Sequence, residues 1–300
     1  MIFAALLLAS AVAYRAEYVG KAPVVDGAVA GDCAWAKAAW SSEFVLHRKG
    51  TPPKNASRFK AVYTDDALYL AIENFERNMA ALGTDENKVE FWHCDVDELL
   101  FAVRKNELIH LIYSARDNAN EQMDGAVKVR TGGLTGWSAK AKLFADRWTV
   151  EFCVPLFLLD VVPGASDVAF PFNACRNELA EKELSSWSFQ KGSFMDIDGF
   201  GTLVLAPPPA AVREKVAAAA RRPHVVTLAR LWADIRKNPL WRPTVARHAK
   251  EAERLDALAG RVDIADFGRV FAEKLQVVRD DHAAAERARR ADIEKRLFGE

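Results

Sequence analysis

The sequence predicts a mainly β protein: an antiparallel β-sandwich followed by an α-helical C-terminal extension. Three observations predict it. Short apolar or alternating segments separated by turn residues recur through positions 22–206. Pro207-Pro208-Pro209 then interrupts the chain, and proline cannot donate to a ladder and fixes an extended linker. Beyond it the composition shifts to Ala, Arg, Glu and Leu, which favour helix. At 300 residues with 50% hydrophobic side chains, the chain can fill one large core or two modest ones.

The strands are justified in order. Phe59–Thr64 and Leu68–Ile72 flank the turn Asp65-Asp66 and read as a hairpin. Glu98–Val103 and Leu108–Tyr113 flank the polar Arg104–Glu107 and read as another. Ala139–Phe144 alternates small or apolar residues with basic ones, as a half-buried strand does. Trp148–Val154 follows the turn Ala145–Arg147, and Ala169–Arg176 and Gly201–Leu205 complete the set. Past the prolines, helices are expected at 210–221, 224–237, 243–259 and 263–298, with Gly260 as a stop and Asp263 as an N-cap. On the last, Phe267, Phe271, Leu275 and Val278 form one apolar stripe, read as a packing face.

Lys+Arg and Asp+Glu balance at 41 each, which gives no basic excess to attract nucleic acid. The balance hides an asymmetry. Residues 207–300 carry 20 basic and 14 acidic side chains, and the first part is correspondingly acidic. The first part also holds all four cysteines and six of the eight tryptophans. No apolar run is long enough to span a bilayer as a helix. Residues 2–13, IFAALLLASAVA, end in an A-x-A pattern and read as a signal peptide, so an exported protein, periplasmic or extracellular, is expected to begin near Tyr14. In that setting Cys33, Cys94, Cys153 and Cys175 allow three pairings, with Cys153 and Cys175 on strands that can be neighbours.

The sequence shows no phosphate-binding loop, dinucleotide fingerprint, nucleophile elbow or H-E-x-x-H. His93, Cys94, Asp95 and Asp97 crowd together, but alternation in a strand would split them and no partner pair exists elsewhere. Glu98 and Glu151 are the two carboxylates a glycosidase would need at a fixed gap across a sugar ring. No catalytic motif connects them, and the reading is of a protein that is not an enzyme.

The order of segments resembles the family 9 carbohydrate-binding modules. The opening Ala22–Gly27 followed by Trp35 is similar to the family's start, and Tyr63–Leu70 to its "yD..LYla" hairpin. Trp92 with Asp95–Phe101 resembles "W..D.vEifl", and Trp148–Pro155 resembles "w..E..iP". Phe172–Arg176 resembles "fN..R", and Trp187 with Phe200–Leu205 resembles "W......fG.l.l". The resemblance covers 22–206, implies a DOMON-like or jelly-roll sandwich, and says nothing about 207–300. It implies non-catalytic binding of a polysaccharide or oligosaccharide stacked between two tryptophans. Carried over by position, those are Trp92 and Trp187, with Glu98 and Arg116 at the polar rim. An indole suits the C–H face of a pyranose, and carboxylate and guanidinium suit its hydroxyls. Characterised members also bind calcium, for which Asp65, Asp66, Asp95 and Asp97 are loop candidates without an assigned site. The alternatives are a structural or interaction protein that keeps the sandwich and self-associates through its helical tail, and a glycoside hydrolase accessory or catalytic protein.

Overall fold

The structure, a computed structural model, describes residues 12–82, 95–104, 107–116, 119–121, 128–130, 137–259 and 267–298. Among them are thirteen strands: β1 (Ala13–Tyr18), β2 (Val45–Leu46), β3 (Ser57–Tyr63), β4 (Ala67–Phe75), β5 (Val96–Arg104), β6 (Glu107–Ser114), β7 (Ala119–Glu121), β8 (Lys128–Arg130), β9 (Ser138–Leu143), β10 (Arg147–Pro155), β11 (Val168–Glu178), β12 (Glu183–Ser186) and β13 (Gly201–Leu205). The eight expected strands are present, most of them longer than expected by one to four residues. β1, β2, β7, β8 and β12 are additional. β1 lies ahead of residue 22 yet is part of the sheet, and the cleavage site read at Ala13 falls on its first residue. Residues 1–11, which hold most of the leader-like run, lie outside the described residues.

The strands form two layers. The first sheet runs β6-β5-β11-β13, with β7 and β8 on β6 and the β12–β2 ribbon on β11. The second runs β3-β4-β10-β9. β1 joins them: Ala13–Ala16 pair parallel with β13, and Glu17 and Tyr18 pair parallel with β3. One strand that changes sheets closes one side of the sandwich.

Alternation decides what faces inward. Leu99 and Phe101 on β5, Phe172 and Ala174 on β11, Phe59 and Ala61 on β3, and Val150 and Phe152 on β10 are all buried between the layers. The layers meet through rings: Phe59 lies 5.5 Å from Phe172, and Tyr113 lies 6.0 Å from Phe152, both edge-on. Each fully buried ring of this size contributes roughly 1.5–3 kcal/mol by transfer from water.

Both outer faces are covered as well. On the second sheet, Val62, Tyr69 and Ala71 pack beneath Val19, Val29 and Trp35 of the N-terminal segment. On the first, Leu100, Ala102, Leu108 and Cys175 pack with Phe194, Met195, Ile197 and Phe200. This separates Cys153, in the second sheet's outer cluster, from Cys175, in the first sheet's. The two strands therefore do not neighbour each other, correcting that expectation. Cys33, Cys153 and Cys175 are free thiols, and Cys94 lies outside the described residues.

The N-terminal cover is held by Glu151. This buried residue of β10 points outward, opposite Ala71. Its Oε2 accepts the backbone N–H groups of Asp26 and Gly27 at 3.0 and 2.8 Å. Its Oε1 accepts the Trp35 indole N–H at 2.7 Å. Burial raises the Glu151 pKa, and the indole and the two amides oppose that rise by stabilising the carboxylate. Gly27 sits at φ 77°, and a Cβ there would lie 2.8 Å from Cβ of Lys142. Only glycine allows this approach.

The chain divides into two compact units, the first ending at Ala217 and the second beginning at Ala218. The division falls within α1 (Arg213–Lys237), which continues through Pro223 where two helices were expected. A proline removes one internal hydrogen bond, and this 25-residue helix tolerates the loss. The expected helix over 243–259 is interrupted at His248 into α2 (Arg242–Arg247) and α3 (Ala249–Ala259). α4 (Phe267–Phe298) follows; Gly260 and Asp263 lie outside the described residues. In the second unit Leu275 and Val278 of the apolar stripe are buried with Trp232, Ile235, Val245 and Leu255. The stripe is a packing face at these positions.

Glu151→Ala leaves two buried donors, the Gly27 amide and the Trp35 indole, and the part-buried Asp26 amide without an acceptor; it is expected to cost about 3–5 kcal/mol in chemical denaturation, with Gly27→Ala costing about 2–4 kcal/mol. Loss of less than about 1 kcal/mol in both variants would remove the clamp from the account.

Candidate functional site

The outer face of the first sheet carries the candidate site. Register places Glu98 of β5 opposite Cys175 of β11 and Ile112 of β6, and Leu100 opposite His110. Glu98 and His110 are therefore diagonal neighbours on one face. Their side chains meet at 2.7 Å, Oε2 to Nε2. Both are buried, at 7% and 4% exposure. Apolar Val96, Ile112 and Leu100 stand around them. One carboxylate oxygen is thus fixed by the imidazole. Cys175 belongs to the same row, but burial first, then the charges of Glu98 and Asp97, hold its pKa well above the usual thiol value. It is a packed thiol without nucleophilic character.

Of the four residues expected at the site, the structure describes Glu98, Arg116 and Trp187. Trp92 lies outside the described residues, six positions before Glu98. Arg116 is exposed in the turn after β6. It is four residues past Ile112, about 13 Å along an extended chain. Trp187 requires a correction. Its N–H donates to the Ala174 carbonyl, and Ala174 pairs with Leu99 on the inward face. The indole is 3% exposed and packs edge-on to Phe59 at 5.1 Å and beside Phe172 at 5.9 Å. A Cβ on Gly201 would lie 2.5 Å from its Cζ3, so the ring occupies the space this glycine leaves. Trp187 therefore faces the core, on the opposite side of the sheet from Glu98, and cannot form a wall of that site.

The polar residues around Trp187 gave the sequence no means to tell a loop tryptophan from a core one. Phe189, two residues on, is the aromatic this segment exposes, at 38%, with its ring over Gly50. His110 was missed because a lone histidine in an apolar strand carries no spacing signal. Only the register places it against Glu98.

The two carboxylates considered for glycosidase chemistry are also resolved. Glu98 points out of the first sheet and Glu151 out of the second, with both layers between them. They cannot flank one sugar. Glu151 is fully engaged by Asp26, Gly27 and Trp35.

The calcium candidates do not assemble. Asp65 accepts the Tyr18 hydroxyl and pairs with Lys215, and Asp66 accepts the Thr64 hydroxyl, all at the β3–β4 turn. Asp97 lies between the layers and accepts Asn74 Nδ2 at 2.6 Å. Beside it the guanidinium of Arg176, 1% exposed, donates to Glu76 at 3.1 Å, the Phe75 carbonyl at 3.0 Å and Ser57 at 3.3 Å. Asn55 bridges Glu76 and Glu178. A cationic guanidinium already occupies the centre of this cluster, so these residues do not fit a calcium ion. Among the described residues no group of three His, Cys, Asp or Glu is arranged to hold a metal.

No family model matches the sequence, and no curated protein matches it. Solved structures do resemble it. A family 9 carbohydrate-binding module from Caldicellulosiruptor kristjanssonii, in complex with cellotriose, superposes with a TM-score of 0.51 at 17% identity. The match covers 66% of this chain and 95% of that module. The module in complex with glucose gives 0.50 at 17% identity, over 65% and 97%. A presumed carbohydrate-binding protein from Bacteroides uniformis gives 0.52 at 15% identity, over 65% and 100%. The chain has the β-sandwich fold of the family 9 modules. Among the described residues no helix is long and apolar enough to cross a membrane.

The inner cluster generates a pH prediction. Burial drives the Asp97 pKa to about 8 and the Glu178 pKa to about 7, against the opposing attraction of Arg176. The native state therefore holds protons that the unfolded chain releases near pH 4. Stability is fullest below that value and falls as pH rises through about 8. Thermal melts should show this decline, and Asp97→Asn should flatten it; a profile that rises from pH 5 to 8 would contradict the assignment. In the same assay Trp187→Ala is expected to cost about 3–5 kcal/mol, as for a core aromatic.

Proposed function

We propose that this chain is a non-catalytic carbohydrate-binding module that holds its ligand on the outer face of the first sheet, around Glu98. The observation that carries the reading is the sandwich it shares with family 9 modules solved with cellotriose and glucose, over nearly their whole length. The geometry of Glu98 supports it. A carboxylate held by His110 at 2.7 Å in apolar surroundings is a preorganised acceptor for a sugar hydroxyl. In this reading Trp92 supplies the stacking surface and Arg116 a donor at the rim. The site has one tryptophan wall, since Trp187 belongs to the core. The leader-like run at 2–13 supports an exported setting.

One aromatic wall contributes roughly 1 kcal/mol beyond its buried area, so with a few hydrogen bonds the expected affinity lies in the micromolar-to-millimolar range. Titration calorimetry with cellotriose on the full chain should show it. Trp92→Ala should abolish the heat, and Glu98→Gln should weaken binding at least about tenfold, with melting temperature nearly unchanged in both. No heat with cellotriose or glucose at millimolar concentration, in a folded wild-type chain, would overturn the reading.

A further inference from the structure

A second feature lies on the same face. β12 pairs with β11 through Leu184 and Asn177, and Asn177 pairs with Val96 on β5. His47 follows β2, and its N–H donates to the Leu184 carbonyl at 2.8 Å. Alternation therefore brings Val96, Asn177, Leu184 and His47 into one row on the outer face. The His47 ring lies 5.0 Å from Phe194, which packs on the Leu100 and Cys175 cluster beside Glu98. Where this row reaches the sheet edge there is a pocket of about 290 Å³, lined by Leu46 and Leu184 and by His47, Arg48, Lys49, Lys182 and Glu183. Three strand spacings, about 15 Å, separate it from β5.

The lining is cationic and its turns are fixed. Arg48, Lys49 and Lys182 come from two separate turns. Glu183, the one acid in the lining, uses Oε2 to accept the Lys54 backbone N–H at 2.9 Å. The nearby Glu181 pairs with Lys54. Arg48 and Lys182 both stand at positive φ, 63° and 54°, positions that turn chemistry gives to Gly, Asn or Asp. Here a cation holds that position on each side of the pocket. The Arg48 N–H donates to the Gln190 carbonyl at 2.9 Å, and the Gly50 N–H to Leu46 at 2.8 Å, so the first turn is pinned. His47 Nε2 accepts from Arg48 Nε at 3.1 Å, which leaves the proton of the neutral ring on Nδ1. That Nδ1 is buried and has no hydrogen-bond partner among the described residues.

We infer that this pocket binds a carboxylate or sulfate group carried by the glycan, so that the ligand class is an acidic oligosaccharide longer than a disaccharide. The inference rests on the carbohydrate reading above and extends it to a charged subsite. Leu46 and Leu184 offer apolar contact to a sugar ring, and the three cations offer charge-assisted hydrogen bonds to its acidic substituent.

The test compares three probes on the full chain by calorimetry at low salt: cellotriose, cellotriose oxidised to the C6 carboxylate, and cellotriose carrying a 6-sulfate. The wild type should bind at least one acidic probe about tenfold more tightly than cellotriose, and the gain should shrink as salt is raised. The carboxylate and sulfate arms identify which group the pocket takes. In Lys49→Gln/Lys182→Gln the gain should disappear, while cellotriose affinity and melting temperature stay at wild-type values. Equal affinity for acidic and neutral probes, or a gain that persists in the double variant, overturns the inference and leaves the carbohydrate reading standing. Absence of binding by all three probes overturns both.

Discussion

The sandwich depends on what one buried carboxylate does for the segment that precedes the strands. Glu151 takes two backbone N–H groups and an indole N–H from a stretch with little regular structure and fixes that stretch over the second sheet. Without it, Ala71, Tyr69 and Val62 would face water, and the second sheet would be a half-solvated layer. Two other features serve the same closure. Gly27 lets its loop approach the backbone of β9, and the Thr149 hydroxyl donates to the Gly27 carbonyl. An acid that looks catalytic in a strand sequence is thus a structural anchor. Its burial would favour neutrality, and the three donors it receives offset that preference.

With the second sheet covered in this way, the first sheet's outer face becomes the informative surface. Its cover, Phe194 to Phe200, overlies Leu100, Ala102, Leu108 and Cys175. The polar groups of that face, Glu98 with His110 and the His47 turn beyond them, sit in and around this cover. The inner face has a different polar chemistry. The Arg176 cluster joins Asp97 of β5 and Glu76, which follows β4, across the interface and links the layers at one end of the core. The two faces of one sheet thus carry different polar groups, the Arg176 cluster inside and the Glu98–His110 pair outside.

Much of the fold was legible in the residues. Short apolar runs between turn residues marked most of the eight strands, because strands buried on both faces must be rich in Val, Ile, Leu and Phe. β2 and β12 escaped notice because strands of two and four residues carry too few side chains to show a period. β1 escaped because its sequence, AYRAEY, reads as a polar lead-in, and its role as the strand that changes sheets is a long-range pairing. Of the candidate site, the sequence nominated Glu98 through the family-like segment that follows Trp92, and the structure adds the His110 contact that the sequence does not show. Trp187 was misplaced because burial of an indole depends on Gly201, fourteen residues away, leaving room for it. His110 and the Arg48–Lys182 pocket were invisible for the same reason: they exist only through pairing between distant strands and turns.

The central claim is that sugar contacts the outer face of the first sheet around Glu98. Amide chemical-shift mapping of the full chain during a cellotriose titration tests it most directly. The account predicts that the perturbed amides cluster on β5, β6 and β11, at Glu98, Leu100, His110, Ile112 and Cys175, with little change near Glu151 or Trp35. Perturbations centred on the Glu151 face of the second sheet, or none at saturating sugar, would contradict it.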